Sequence, residues 1–141
     1  GRAPFRTFAR HLHPDGPAKS RHTHHRGSAF RPPAGPLRDK YFTRNDDGSW
    51  HTHDDIRNRV SFGRLNLYDE PRVSLLGHLD VIFCRNVIIY FDDLSKKVVV
   101  SNFYNRLTDA GYLLLGHSES LISLSTQFKL RHLKNDMVYQ K

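Results

Sequence analysis

The sequence predicts an open α/β sheet with an antiparallel edge, and three observations support this fold class. The run from Leu79 to Cys84 is almost wholly apolar and β-rich, which is the pattern of a strand buried on both faces of a parallel sheet. A segment with helical periodicity follows it, and a short apolar strand follows that segment. Two further short strands with a turn between them predict a hairpin at the C-terminal end.

Residues 1–36 differ in composition from the rest of the chain. They hold six of the seven prolines, and no Val or Ile occurs before Ile56. Residues 1–40 carry nine Lys and Arg against two Asp and Glu, so most of the net charge of +8 lies there. Such a segment buries too little apolar surface to offset its ordering entropy. We predict that residues 1–36 are disordered or come from a misread reading frame, and that residues 37–141 form the domain.

Several classes of protein are disfavoured by composition. The single cysteine, Cys84, cannot form an internal disulfide and suits a reducing cytosol. No run approaches the ~20 apolar residues of a membrane span, and no apolar signal core precedes the domain. His22, His24 and His25 lack Cys, Asp or Glu at ligand spacing, so no metal site is predicted. Aromatic residues are sparse among the basic ones, so no nucleic-acid partner is expected. The expected location is cytoplasmic.

The first part of the domain predicts short elements in a fixed order. Asn45 to Gly48 has the composition of a turn. Ser49 to His53 predicts a short strand, and the acidic pair that opens the segment from Asp54 to Arg59 favours a short helix. Val60 to Leu67 predicts the first strand of the main sheet.

The main helix and the hairpin follow the apolar strand. Asp92 or Asp93 is a suitable N-cap for a helix that runs to about Thr108, and Gly111 is a suitable helix stop. Three apolar residues at spacings of four predict its buried face: Val99, Phe103 and Leu107. The short strands predicted after it are Tyr112 to Leu115, Gln127 to Arg131 and Met137 to Gln140, with a turn from Leu133 to Asp136 before the last.

Polar side chains follow each predicted strand of the sheet at the point where the strand ends. In open α/β sheets, ligands bind beyond these carboxyl ends. A pocket floor needs apolar residues on the strand and polar residues just past it. The candidate site residues on this ground are Asn66, Leu67, Arg85, Asn86, His117, Ser118 and Glu119.

The same residues have structural interpretations that the sequence leaves open. Arg85 also fits an ion pair with a structural carboxylate, and His117 fits a buried core histidine. Tyr90, five residues after Arg85, fits either a core aromatic or a site residue. Cys84 fits a small apolar core residue better than a nucleophile, because nothing nearby marks a lowered thiol pKa. Both asparagines also fit turn caps.

The segment from Leu79 to Phe91, LDVIFCRNVIIYF, closely resembles a strand and loop of CheR-type chemotaxis methyltransferases. Further matches stand in the order of that family and at similar spacing. They are Tyr41 to Arg44, Phe62 to Leu67, Gly111 to Ser120, Phe128, and Val138 with Tyr139. Together they cover about residues 37–141.

The resemblance implies part of a Rossmann-like sheet of an S-adenosylmethionine-dependent methyltransferase. It implies a monomeric enzyme that methylates glutamate side chains of chemoreceptors or similar signalling proteins. In the family, the tyrosine of the RNVxIY segment lies near the reacting centre. The residues implied to contact the cofactor are Asn66, Leu67, Cys84, Arg85 and Asn86, and those implied to act in catalysis are Tyr90 and Arg85.

The family also has features that residues 1–36 lack. These are a helical N-terminal domain and a glycine-containing loop with acidic residues that holds much of the cofactor. We therefore expect the chain to lack the first strands of the sheet, to expose an apolar edge and helix-facing surface, to be marginally stable, and to bind S-adenosylmethionine weakly or not at all. Two alternatives stay open, a non-catalytic interaction module with a methyltransferase shell and a basic-tailed nucleic-acid binder.

Overall fold

The structure, a computed structural model, describes residues 7–9, 24–25, 35–134 and 136–141. The chain divides into two compact units, residues 1–64 and residues 65–141. The prediction for residues 1–36 falls largely outside the described residues. The described part of that segment includes two short strands, of which only the backbone is described.

The first unit is built from very short elements. They are β1 (Thr7–Ala9), β2 (His24–His25), α1 (Pro36–Tyr41), β3 (Phe42–Arg44), β4 (Trp50–Thr52), α2 (Asp54–Arg57) and β5 (Val60–Phe62). β1 pairs with β5 in parallel, and β4 pairs with both β2 and β3 in antiparallel fashion. The predicted short strand and short helix at β4 and α2 are confirmed. The predicted turn is confirmed too, since the Gly48 amide donates to the Asn45 carbonyl at 3.0 Å.

The second unit contains the main sheet and the main helix. Its elements are α3 (Glu70–Ser74), β6 (Leu79–Cys84), a 3-10 helix (Ile88–Tyr90), α4 (Asp93–Arg106), β7 (Leu107–Leu115), β8 (Lys129–His132) and β9 (Met137–Gln140). The strand order is β6-β7-β9-β8. β6 and β7 are parallel, whereas β9 is antiparallel to both of its neighbours. The predicted α/β sheet with an antiparallel hairpin is therefore confirmed, and Leu133 donates to Asp136 at 2.8 Å to close the hairpin turn.

α4 begins where its sequence predicts and ends slightly earlier. The Asp92 carboxylate accepts from the Ser95 amide at 2.8 Å, which caps the first turn. This hydrogen bond, together with one from the Ser95 hydroxyl, lowers the pKa of Asp92. All three residues of the predicted apolar face are buried in the core.

Gly111 does not stop the helix, because the chain passes from α4 straight into β7. Gly111 lies within β7, where an added Cβ would stand 2.9 Å from the Thr108 carbonyl oxygen and 3.1 Å from that of Asp80. The prediction of a helix stop is therefore wrong. Glycine is needed here because the backbones of β6 and β7 approach closely where their register shifts.

The sheet is covered on one face. Its core joins α4 to the strands and to the segments that follow them: Cys84, Ile88, Val99, Val100, Phe103, Leu107, Leu113 and Leu121. On the other face of β6, Val81 is 43% exposed and Phe83 is 72% exposed. The prediction that β6 is buried on both faces is wrong for the described residues, since only one face of β6 packs into this core. The predicted exposed apolar surface is present there.

The segment from Val60 to Leu67 is not one strand. β5 ends at Phe62, and Asn66 and Leu67 lie in the loop that leads to α3. β5 pairs with β1 and is not part of the β6–β7 sheet. The expectation of three neighbouring strand ends is therefore wrong: among the described strands concerned, only the ends of β6 and β7 are neighbours in one sheet, because pairing decides which strand ends lie together.

Candidate functional site

The loops that follow β6 and β7 meet at the carboxylate of Glu119. Its Oε2 atom accepts hydrogen bonds from the Asn86 amide at 2.7 Å and the Gly116 amide at 2.8 Å. Its Oε1 atom accepts from the amides of Val87 and Ile88, both at 2.9 Å. We call this arrangement the Glu119 clamp. Hydrogen bonds to a carboxylate are stronger than hydrogen bonds between neutral groups. The Glu119 side chain therefore fixes the backbone of the loop after β6 and that of the loop after β7.

The electrostatics of the clamp favour the ionised form of Glu119. Partial burial raises the pKa of this carboxyl, but hydrogen bonds from the four backbone amides lower it by more. The net result is a pKa below the ordinary value of 4.5. Glu119 is therefore an acceptor for all four amides at neutral pH.

Two small features of the sequence let the loops approach each other. A Cβ on Gly116 would lie 2.8 Å from Glu119 Oε2 and 2.9 Å from Asn86 Oδ1, so a larger residue would displace these side chains. Asn86 has φ 58°, in the left-handed region that asparagine tolerates better than most residues. The clamp thus depends on glycine at position 116 and is favoured by asparagine at position 86.

Most of the predicted site residues around β6 are exposed. Cys84 is buried in the core, in agreement with the alternative of a small apolar residue. Arg85 and Asn86 follow it and are exposed. Tyr90 is 72% exposed and His117 is also exposed, so the alternatives of a core aromatic and a core histidine are wrong.

Asn66 and Leu67 lie in a loop that is held mainly by its own neighbours. The Asn66 side-chain oxygen accepts from the Tyr68 amide at 3.1 Å, which is the turn role that the sequence left open. The Leu67 carbonyl accepts from the side-chain amide of Asn102 at 2.9 Å, and Asn102 is buried on α4.

A small hollow connects this loop to the segment after the 3-10 helix. Its volume is about 120 Å³, and it is lined by Asn66, Tyr68, Phe91, Ser95 and Val99. Phe91 directly follows Tyr90, so the structure brings Asn66 beside the end of the Arg85–Tyr90 segment. Arg85 and Tyr90 themselves do not line this hollow.

A larger hollow of about 450 Å³ lies between the 3-10 helix, the start of α4 and the loop after β7. Ile89, Lys97, Ser118 and Ile122 are among its lining residues, and so is Glu119. None of the residues expected to bind the cofactor lines it. The sequence predicted Glu119 and Ser118 as polar residues at a strand end. It did not predict the clamp, because the donors after β6 lie more than 30 positions before Glu119 in the chain.

Comparison with known proteins decides the family. The family model described as "CheR methyltransferase, SAM binding domain" matches residues 21–137. The chain belongs to the CheR methyltransferase family. The expectation from the LDVIFCRNVIIYF segment is therefore confirmed, and the family model begins at residue 21, before the segment of resemblance that starts near residue 37.

Individual relatives agree with this family. The chain is 45% identical over 102 residues to chemotaxis protein methyltransferase 2 of Vibrio cholerae, covering 72% of the chain and 35% of that protein. It is 37% identical over 100 residues to a chemotaxis protein methyltransferase of Vibrio parahaemolyticus, covering 71% and 36%. The corresponding protein of Salmonella typhimurium is 36% identical over 95 residues, covering 65% and 33%. The chain thus spans about a third of the length of these relatives.

Some described residues of the chain have side chains of the kinds that bind groups of S-adenosylmethionine. The cofactor presents a carboxylate, hydroxyls and an aromatic ring, and the chain has the Arg85 guanidinium, the Asn66 side-chain amide and a hollow beside Phe91. Typical ligand pockets enclose roughly 300–1,000 Å³, well above the volume of that hollow. The hollow beside Phe91 is therefore too small to enclose the whole cofactor. No helix in the described ranges has the length and hydropathy that a membrane span requires.

Proposed function

We propose that this chain forms one wall of the cofactor cleft in a chemotaxis protein methyltransferase that methylates glutamate side chains of chemoreceptor-type signalling proteins. The similarity of 45% over 102 residues supports this function. The observation that carries it is the Glu119 clamp, which fixes the Arg85–Tyr90 loop at the carboxyl end of β6. Ligands of open α/β sheets bind at such ends.

The proposed chemistry makes modest demands on the protein. S-adenosylmethionine supplies an electrophilic methyl group on a sulfonium. A glutamate carboxylate is ionised near neutral pH and is already a nucleophile, so no general base is needed. The protein has to align the carboxylate with the methyl group and keep water away.

Arg85 and Tyr90 have the side chains for these tasks. The planar guanidinium of Arg85 can hold a carboxylate of cofactor or substrate through two hydrogen bonds. The hydroxyl of Tyr90 can orient a bound group without adding charge. Asn66, Leu67, Cys84 and Asn86 form the remaining cofactor wall in this proposal, Cys84 and Leu67 by supporting the backbone from the core.

A chimaera tests the proposal. The matching residues of this chain replace those of the Vibrio cholerae relative, and alkali-labile methyl ester on receptor glutamates is measured, since carboxyl esters hydrolyse in base. We expect activity in the chimaera, a large loss with Arg85→Lys, and little change with Arg72→Lys, whose partner is Asp69 at 3.3 Å. Equal activity of the two lysine variants would refute the role of Arg85, and absence of ester in a folded chimaera would refute the function.

A further inference from the structure

Two side chains of the proposed site have no partner among the described residues. Arg85 and Tyr90 are exposed, and neither the guanidinium nor the hydroxyl forms a hydrogen bond or ion pair with any residue that the structure describes. Their positions are therefore set by the backbone that carries them. We propose that Glu119 is a positioning residue for methyl transfer, which acts by fixing that backbone. This inference rests on the proposed function and adds a residue that acts through the two side chains named there.

The backbone of Arg85 is held on both sides. Before it, Cys84 is buried and pairs with Leu115 in the β6–β7 ladder. After it, the Asn86 amide donates to Glu119 Oε2 at 2.7 Å. Asn86 has φ 58°, a left-handed conformation that costs more than an extended or helical one and that sets the direction in which the chain leaves Arg85. The hydrogen bond to Glu119 favours this conformation, so a loop without that bond has access to others.

Tyr90 is held through the 3-10 helix. The amides of Val87 and Ile88 donate to Glu119 Oε1, both at 2.9 Å. Ile88 is also buried in the core, so the start of the 3-10 helix is fixed from two directions. The Tyr90 amide then donates to the Val87 carbonyl at 3.4 Å, which completes the turn. Short 3-10 helices have poor hydrogen-bond geometry, so this turn depends on what holds its first residues.

The contacts of Glu119 favour a positioning role over direct action on a substrate. Each of its two oxygens accepts two of the four amide hydrogen bonds of the clamp, and Glu119 forms no ion pair with any residue in the described ranges. A carboxylate has about four lone-pair sites, so the clamp uses its accepting capacity. Glutamine in its place would keep the length of the side chain but would turn an NH₂ group toward two of the amides.

Kinetics of the chimaera test whether Glu119 acts through Arg85 and Tyr90. Glu119→Gln alone should lower kcat about tenfold at saturating cofactor and receptor, because misplacement of aligning groups costs rate steeply. In a background that already carries Arg85→Lys and Tyr90→Phe, the same change should lower kcat less than about twofold, because the groups that it misplaces no longer act. Val138→Ala, a buried change on β9 outside the core cluster of α4, is the control for lost stability and should have the same effect in both backgrounds.

Backbone dynamics of the 141-residue chain provide a readout that needs no cofactor. The NMR order parameters of the Arg85 and Tyr90 amides should be about 0.85 in the native chain and should fall below about 0.6 in Glu119→Gln. Val138→Ala should leave both values unchanged, and circular dichroism verifies that each variant is folded. If Glu119→Gln does not fold, Glu119→Asp takes its place in both measurements, because it keeps the charge but is too short to reach the amides of both loops.

Three results would overturn the positioning role. They are unchanged order parameters at Arg85 and Tyr90, no loss of kcat with Glu119→Gln, and a loss of kcat that is equal in the two backgrounds. The proposed function fails in a different way. A folded native chimaera that forms no ester refutes methyl transfer and, with it, the positioning role, whereas an active chimaera with equal losses refutes the positioning role alone.

Discussion

The two loops that carry the proposed cofactor residues are held in different ways. The loop after β6 is fixed by hydrogen bonds from three of its amides to Glu119. This residue follows α4 and β7 in the sequence. The Asn66 loop is held by a bond to its own Tyr68 amide and by one bond from Asn102 to the Leu67 carbonyl. The first loop is therefore held by three hydrogen bonds to a residue distant in the sequence, whereas the second is held by one such bond and by its own turn.

This difference suggests that the two loops have different roles in the proposed cofactor cleft. A preorganised loop suits residues that must align reacting atoms, because misplacement costs rate steeply. A locally held loop suits contacts that form when the cofactor enters. Variants of the two loops should therefore separate stability from binding.

Gly116→Ala should have the largest effect on stability. The new Cβ would meet Glu119 and Asn86 at under 3 Å, so the clamp must open. We expect a loss of about 3 kcal/mol in the free energy of unfolding, measured by urea denaturation. Gly63→Ala is the control, since nothing lies within 4 Å of its added Cβ. Similar losses in both variants would contradict the tight approach at Gly116.

Glu119→Gln should cost about 2 kcal/mol, measured in the same way. The amide oxygen can accept from one pair of backbone amides, but its NH₂ group would then face the other pair. Amide hydrogen exchange at Val87 and Ile88 should accelerate, because both would lose protection. Glu70→Gln, at the exposed start of α3, should change neither quantity. Unchanged exchange at Val87 would show that the clamp does not hold the loop.

Stability should depend on pH through the same carboxyl. The folded-state pKa of Glu119 is lowered, so its contribution is fully present above the ordinary value of 4.5 and is lost as pH falls through the lower, folded-state pKa. The pKa of Asp92 is also lowered and acts in the same direction. Urea midpoints measured as pH decreases from neutrality should fall less steeply for Glu119→Gln than for the native chain. Parallel curves would contradict the assignment.

Asn102→Ala should cost about 1 kcal/mol, because it removes a buried donor and leaves the Leu67 carbonyl without its bond to α4. Exchange should accelerate in the Asn66 loop but not at Val87. Asn105→Ala, on the exposed side of the same helix, serves as the control and should be neutral. An effect on Val87 would show that the two loops are coupled, and the comparison between them would fail.

Asn66→Ala should have the smallest effect on stability, about 0.5 kcal/mol, because only a local turn bond is lost. Its effect on the cofactor should be larger. In the chimaera, the dissociation constant for S-adenosylhomocysteine measured by calorimetry should rise about tenfold, as expected for one lost hydrogen bond to a ligand. An unchanged dissociation constant would remove Asn66 from the proposed site.

Much of the second unit could be predicted from the sequence. The cap of α4 at Asp92, its buried face and the strand β9 follow from local residue types and periodicity, which act over one or two turns. The errors arose where a distant partner decides the outcome. Phe83 is exposed because only one face of β6 packs into the described core. β5 lies outside the β6–β7 sheet because it pairs with β1.

The amino-acid sequence by itself determined the family, the order of the elements around the β6 loop, and the residue types placed at that loop. Only the tertiary structure decided that Glu119 joins the two strand ends and that the larger hollow lies beyond them. The reason is physical: periodicity and capping report on neighbours in the chain, whereas a carboxylate that collects amides from more than 30 residues away depends on how β6 and β7 pair.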